Sequence, residues 1–178
     1  VDNHIPMFDN MYAKRLKAYK QIGYELACGL QIGKQTVNAI YDWDNYSTYY
    51  HKDLLGANNN IIISSPVISG PKVYELINLL KEKQMSGVQI TIVTWAPDSY
   101  RFGDAAYWMQ LHEDMRQAGF YIKTVEESCE RFAVIDQEVV WYGNINLLAK
   151  DKVDDSIMRI LSKEIASELM EITIGDNG

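Results

Sequence analysis

The chain has 178 residues and a mass of 20.4 kDa, with 47% hydrophobic and 23% charged residues, the size and balance of one compact domain with a sizeable core. Those figures exclude disordered, collagen-like and coiled-coil classes, and no apolar run approaches the roughly 18–20 residues a membrane span needs. With 17 Lys and Arg against 24 Asp and Glu the formal charge is −7, a field that repels nucleic acid and anionic membrane, so any phosphate must be held locally by a few donors.

Val1 to Asn10 has no basic stretch leading into an apolar one, so no secretory signal is expected there. The chain does not open on Met, as expected of a processed chain or a piece of a longer one. From Asn10 to about Leu26, apolar positions at Tyr12, Leu16, Tyr19, Ile22 and Leu26 suit an amphipathic helix with Lys14, Arg15, Lys17 and Lys20 outward. Gly29 and Gly33 break it, so residues 1–36 read as an N-terminal helical extension and residues 37–178 as the domain proper.

Thr36 to Tyr41 reads as a short strand, and Tyr46 to Leu55 as a helix closed by Gly56 and a polar Asn58-Asn59-Asn60 turn. Ile61-Ile62-Ile63 is a β-branched run of the kind that forms a strand buried on both faces, stopped by Ser64-Ser65-Pro66. Pro71 opens a helix that runs to Met85, with Gly87 just past its end. Val88 to Trp95 is a second buried strand, Gly103 to Gln117 a helix stopped by Gly119, and Phe120 to Val125 a third strand. Arg131 to Ile135, Glu138 to Tyr142 and Ser156 to Leu161 are three further strands with short links, and a helix over Lys163 to Glu171 follows. This order implies an α/β domain, one mixed sheet flanked by helices on both faces.

Nucleotide loops, zinc-hydrolase pairs and nucleophile elbows are all missing as sequence patterns. His4, His51 and His112 make no metal-ligand spacing, and Cys28 and Cys129 make no C-x-x-C. No metal or cofactor is therefore expected, and two unpaired thiols fit a reducing, cytoplasmic location. The tracts His51-Lys52-Asp53 and His112-Glu113-Asp114 fall on predicted helices and point in several directions, so both read as solvated surface.

The informative stretch begins at Cys129-Glu130-Arg131, passes through Phe132-Ala133-Val134-Ile135 to Asp136, and seven residues later reaches Gly143-Asn144-Ile145-Asn146. Its spacing resembles the phospholipase D superfamily signature, H-x-K-x4-D followed by G-S-x-N. Ile61 to Pro66, a helix, then Gly87 to Val93 match the first half of that superfamily in order, and Asp155 falls where it often carries an acidic residue. The likeness runs over about residues 37–172 and is nearest to the phospholipase D-like modules of bacterial DNA helicases and mobile-element (transposon-related) proteins.

In that family the signature His is the nucleophile, a second copy's His protonates the leaving group, and the Lys and Asn hold the phosphate. Here Cys129 stands at the His position, Arg131 at the Lys position and Asn144 at the Ser position, while Asp136, Gly143 and Asn146 are retained. The resemblance thus implies Cys129, Arg131 and Asp136 as degenerate catalytic positions, Arg131, Asn144 and Asn146 as phosphate ligands, and Asp155 as support. If Cys129 and Arg131 lie on one strand they share a face, as would Asn144 and Asn146. Arg131 keeps the charge and gains a fork for phosphate oxygens. A thiol, with a reference pKa of about 8.5 and no second nitrogen for a carboxylate to orient, does not replace an imidazole.

Two functions follow. One is a catalytically degenerate module, DNA-associated or protein-binding, within a larger helicase or mobile-element protein. The other is an active phosphodiesterase or nuclease that uses Cys129, as a thiolate, or a partner's residue. Single-copy members of the family pair two motifs, so a homodimer is expected in either case, with Tyr100, Tyr107, Trp108, Trp141 and Tyr142 available for an interface, a nucleic-acid groove or the core.

Overall fold

The computed structural model describes residues 25–26, 38–100, 103–126, 129–149 and 155–174. Eight strands form one mixed sheet: β1 (Glu25–Leu26), β2 (Ala39–Asp42), β3 (Asn60–Ser64), β4 (Gln89–Trp95), β5 (Tyr121–Val125), β6 (Phe132–Ile135), β7 (Val139–Gly143) and β8 (Ser156–Leu161). Their spatial order is β1-β2-β8-β7-β6-β3-β4-β5. β3, β4 and β5 are parallel and are joined by helices α2 (Gly70–Met85) and α3 (Ala105–Gln117). β6 runs antiparallel to β3, and β6, β7, β8 and β2 continue antiparallel. Helix α1 (Tyr46–Gly56) precedes β3, and α4 (Lys163–Ile174) follows β8.

The apolar runs are continuous because both sheet faces are covered. Ile61, Ile63, Ile92, Ala133, Ile135 and Trp141 pack with Tyr46, Tyr50 and Leu54 of α1, Val73, Leu76 and Leu80 of α2, and Leu111 and Met115 of α3. Ile62, Val93, Phe132, Val134 and Val140 face the other way, onto Ala166, Leu169 and Met170 of α4. Each Val, Leu, Ile, Phe or Met fully buried among these contributes about 1.5–3 kcal/mol of transfer free energy. The α/β sheet with helices on both faces is thus as the sequence implies.

The element boundaries have local causes. Pro71 lies in the first turn of α2, and Gly87, at φ 95°, takes the left-handed conformation just past its end. Gly103 is at φ 104° and cannot open a helix; Asp104 caps α3 instead, accepting the Ala106 amide at 2.9 Å. The helix expected over residues 10–26 lies outside the described residues except for Glu25 and Leu26, which run as a strand parallel to β2.

Two surface assignments are corrected. Asp53 turns inward beside Tyr50 and Leu54: it accepts from Arg159 Nε at 2.6 Å and Nη2 at 3.0 Å, and from the Trp141 indole at 2.8 Å. Trp141 is fully buried, 5.0 Å from Tyr41 and 5.5 Å from Tyr50 between ring centroids. His112 is also buried, at 1% exposure, and neither ring nitrogen has a partner. In both helices the face is set by the apolar residues three and four positions away, and the neighbouring charges are carried past it.

Burial, reinforced by Arg116, holds His112 below the ordinary histidine pKa. An unfolded histidine titrates near about 6.5, so below that pH the unfolded chain binds a proton the folded one refuses. Stability should therefore fall as pH drops through that value and level off only below the folded pKa. His51, lowered by burial and by Lys72 against the opposing pull of Glu75, adds to the same slope. Thermal midpoints between pH 5 and 8 should show a shallower acid-side decline in His112→Leu than in the wild type; parallel curves would refute this.

Candidate anion site at the rim of the sheet

The C-terminal ends of β3, β4 and β7 meet the start of β6 at one rim, as the pairings Ser64 with Phe132, Ser64 with Val93 and Phe132 with Tyr142 require. Crevices beyond the carboxyl ends of strands are where open α/β sheets hold ligands. Two segments outside the ladder bring side chains there, residues 129–131 before β6 and residues 144–149 after β7.

These segments join through Arg131, whose Nε donates to Asn146 Oδ1 at 3.2 Å. Asn146 is buried and Arg131 half-buried. Among the described residues no carboxylate pairs with Arg131: the Glu130 carboxylate accepts the Tyr142 hydroxyl at 3.2 Å instead. One guanidinium N–H is spent on Asn146, leaving the Nη groups to grip an anion. Asn144 is exposed on the same loop, its amide donating to the Ser156 carbonyl at 3.3 Å, and Asp155 stands just ahead of β8 beside that contact.

Cys129 and Arg131 take different partners, Arg131 bonding Asn146 and the thiol none of that loop. The thiol lies 3.4 Å from Ser64 Oγ and 3.8 Å from the carbonyls of Val93 and Glu130, packed beside Val125 and Tyr142 against the α4 side of the core. Alternation of faces holds only within a ladder, and β6 begins at Phe132, after both residues. Burial pushes the Cys129 pKa up, and Glu130 adds to this; the Ser64 hydrogen bond and Arg131 pull it down without cancelling the rise. The group is a neutral thiol near neutrality. Asn144 and Asn146 also lie past the end of their strand, so one is exposed and the other buried.

Asp136 stands apart, at the far end of β6. With Gln137 it forms the β6–β7 turn, both at positive φ (51° and 57°). Its carboxylate accepts the amides of Asn58, Asn59 and Asn60 at 2.9, 2.7 and 3.1 Å, which ties the hairpin to the entry of β3. That is a structural duty, carried out away from Arg131 and Asn146. Gly143 is explained by close approach: a Cβ there would lie 2.5 Å from the Ser156 carbonyl oxygen and 2.8 Å from Ile157 Cα.

Two residues at the rim escaped the sequence reading. Ser64 and Ser65 read as a strand stop, yet both are fully buried and hydrogen-bonded. Short hydroxyls before a Pro signal a turn, and nothing in the sequence marks them as interior. Of the aromatics, Trp141 is core, and Tyr100 stacks on Trp108 at 4.3 Å with both packed on the α1–α3 side. Tyr107 is exposed, and its hydroxyl accepts the Gly70 amide at 2.9 Å. The described histidines lie in helices, His51 3.5 Å from Glu75 and His112 in the core. Among the described residues no group of three His, Cys, Asp or Glu side chains could hold a metal ion.

The family model described as cardiolipin synthase, PLD-like domain matches residues 50–174. The chain belongs to this phospholipase D-like family. Its fold is similar to that of Nuc, a phospholipase D family member from Salmonella typhimurium (TM-score 0.61, 14% identity, covering 78% of this chain and 93% of that one). It is similar also to NucT from Helicobacter pylori (TM-score 0.59, 10% identity, 78% and 93%). A third similar structure is TrmBL2, an archaeal chromatin protein described as showing a novel mode of DNA binding (TM-score 0.57, 10% identity, 96% of this chain and 60% of that one). No curated protein matches the chain at a significant level. No helix among the described residues is long and apolar enough to cross a membrane.

Proposed function

We propose that this chain is a phospholipase D-like domain that keeps phosphate recognition and has given up hydrolysis. It would serve as a DNA-associated or interaction module of a larger helicase or mobile-element protein, and pair with a second copy of itself. The observation that carries this reading is the Arg131 guanidinium, half-buried, bonded to Asn146, with no carboxylate to neutralise it among the described residues. A cation partly withdrawn from water is costly unless an anion completes it, and a phosphate oxygen meets the geometry of its Nη groups.

The chemistry for cleavage is poorly supported. The group at the nucleophile position is a thiol raised in pKa and turned toward Ser64, and no described histidine stands at the rim to act as general acid. DNA is favoured as the source of phosphate by the chromatin protein of similar fold. The net charge of −7 means that binding must be local and lost readily with salt.

The test is incubation with single- and double-stranded DNA and a chromogenic phosphodiester, with and without chelator. DNA retention that weakens with salt, with no cleavage product, is expected. Turnover that survives the chelator and vanishes in Cys129→Ala would contradict the proposal and make the chain a thiol-dependent phosphodiesterase.

A further inference from the structure

Ser64 closes β3 and Ser65 follows it, both at 0% exposure, each bonded to a different half of the anion site. We propose that this buried serine pair positions the site, Ser64 fixing the segment that carries Arg131 and Ser65 the loop that carries Asn146. The inference rests on the anion-binding reading above.

Ser64 Oγ donates to the Glu130 carbonyl at 2.6 Å, immediately before Arg131. Ser65 Oγ gives its proton to the Val67 carbonyl at 2.9 Å and accepts the Leu148 amide at 3.3 Å, with Asn146 Oδ1 3.5 Å away. Ser69 reinforces the second anchor, its amide donating to the Leu148 carbonyl at 2.7 Å. Residues 129–130 and 144–149 lie outside the strands, and Arg131 meets β7 only through its carbonyl, which accepts the Gly143 amide at 3.3 Å, so regular pairing does not by itself bring Arg131 and Asn146 together. Two hydroxyls on consecutive residues at the exit of β3 therefore set the distance between a guanidinium and a carboxamide that are 15 positions apart in the chain.

A serine that merely fills a turn would leave the contribution of Arg131 unchanged, so coupling between residues separates the two roles. Affinity for a single-stranded DNA oligonucleotide is measured in wild type, Ser65→Ala, Arg131→Ala and the double variant. Ser65→Ala should weaken binding about tenfold, what one charge-assisted hydrogen bond supplies, and Arg131→Ala should add little to it. In parallel, exchange of the Arg131 Nε–H is followed by NMR. That proton should be protected in the wild type by Asn146 and exchange freely in Ser65→Ala while the circular dichroism spectrum is unchanged. Ser64→Ala, with the same expected readouts, stands in if Ser65→Ala does not fold.

An undiminished effect of Arg131→Ala in the Ser65→Ala background, or an Nε–H that stays protected in both serine variants, overturns the inference. If the wild type binds no DNA, the anion reading falls, and the Nε–H measurement alone decides the role of the serines.

Discussion

Asp53→Ala is expected to lose about 3–5 kcal/mol of folding stability, the cost of breaking a buried ion pair by removing one partner. Asp53 and Arg159 are each 11% exposed and meet in a two-point contact at 2.6 and 3.0 Å. The same carboxylate accepts the indole N–H of Trp141, a fully buried side chain. Alanine strips two donors of the acceptor they share, in the middle of the α1–β7–β8 packing. Asp53→Asn retains an acceptor for the indole and loses the charge, so its cost should be smaller. Replacing both members, Asp53→Leu with Arg159→Met, should recover part of the loss, because neither charge is then left in the interior, while the Trp141 indole still goes without its acceptor. Urea unfolding at pH 7 gives all three values. A loss for Asp53→Ala below about 1 kcal/mol would place the pair among solvent-screened surface contacts and refute this.

The second large effect is expected at Gly143. In Gly143→Ala the new Cβ meets backbone, the Ser156 carbonyl oxygen at 2.5 Å and Ile157 Cα at 2.8 Å, and backbone cannot rotate away. Gly143 pairs with Ile157 across the β7–β8 ladder, so the strands must part at the point where the chain leaves for Asn144 and Asn146. Overpacking of this kind costs about 1–3 kcal/mol, and DNA affinity should fall with it because the loop that faces Arg131 moves. Gly56→Ala is the matched control: nothing lies within 4 Å of its added Cβ, and at the end of α1 it should be neutral or slightly stabilising. Equal effects at both positions in unfolding and binding would remove close approach as the reason for the glycine.

The strand and helix order was legible because punctuation and period agree: Ile61-Ile62-Ile63 between turn residues, Pro71 and Gly87 at the ends of α2, Gly119 after α3. The meeting of Arg131 with Asn146 was legible only through motif spacing, since no local pattern predicts contact between two loops. What failed, failed for definite reasons. The face of Cys129 was read with a strand period on residues that precede the strand. Asp53 and His112 were assigned outward from charged neighbours, although in a helix the residues three and four positions away decide the face. Asp136 was placed with the chemistry because the motif contains it, whereas its left-handed backbone and three amide partners belong to a turn. The tie between Ser64, Ser65 and the loops is tertiary, and two hydroxyls before a Pro carry no sign of it.

The most direct test of the anion site is a salt series of single-stranded DNA binding in wild type, Arg131→Lys and Arg131→Ala. Arg131→Ala is expected to bind about tenfold more weakly with a salt slope smaller by about one phosphate contact, and Arg131→Lys, which keeps the charge without the fork, to fall between. Equal affinity and equal slope in wild type and Arg131→Ala would show that this guanidinium holds no phosphate.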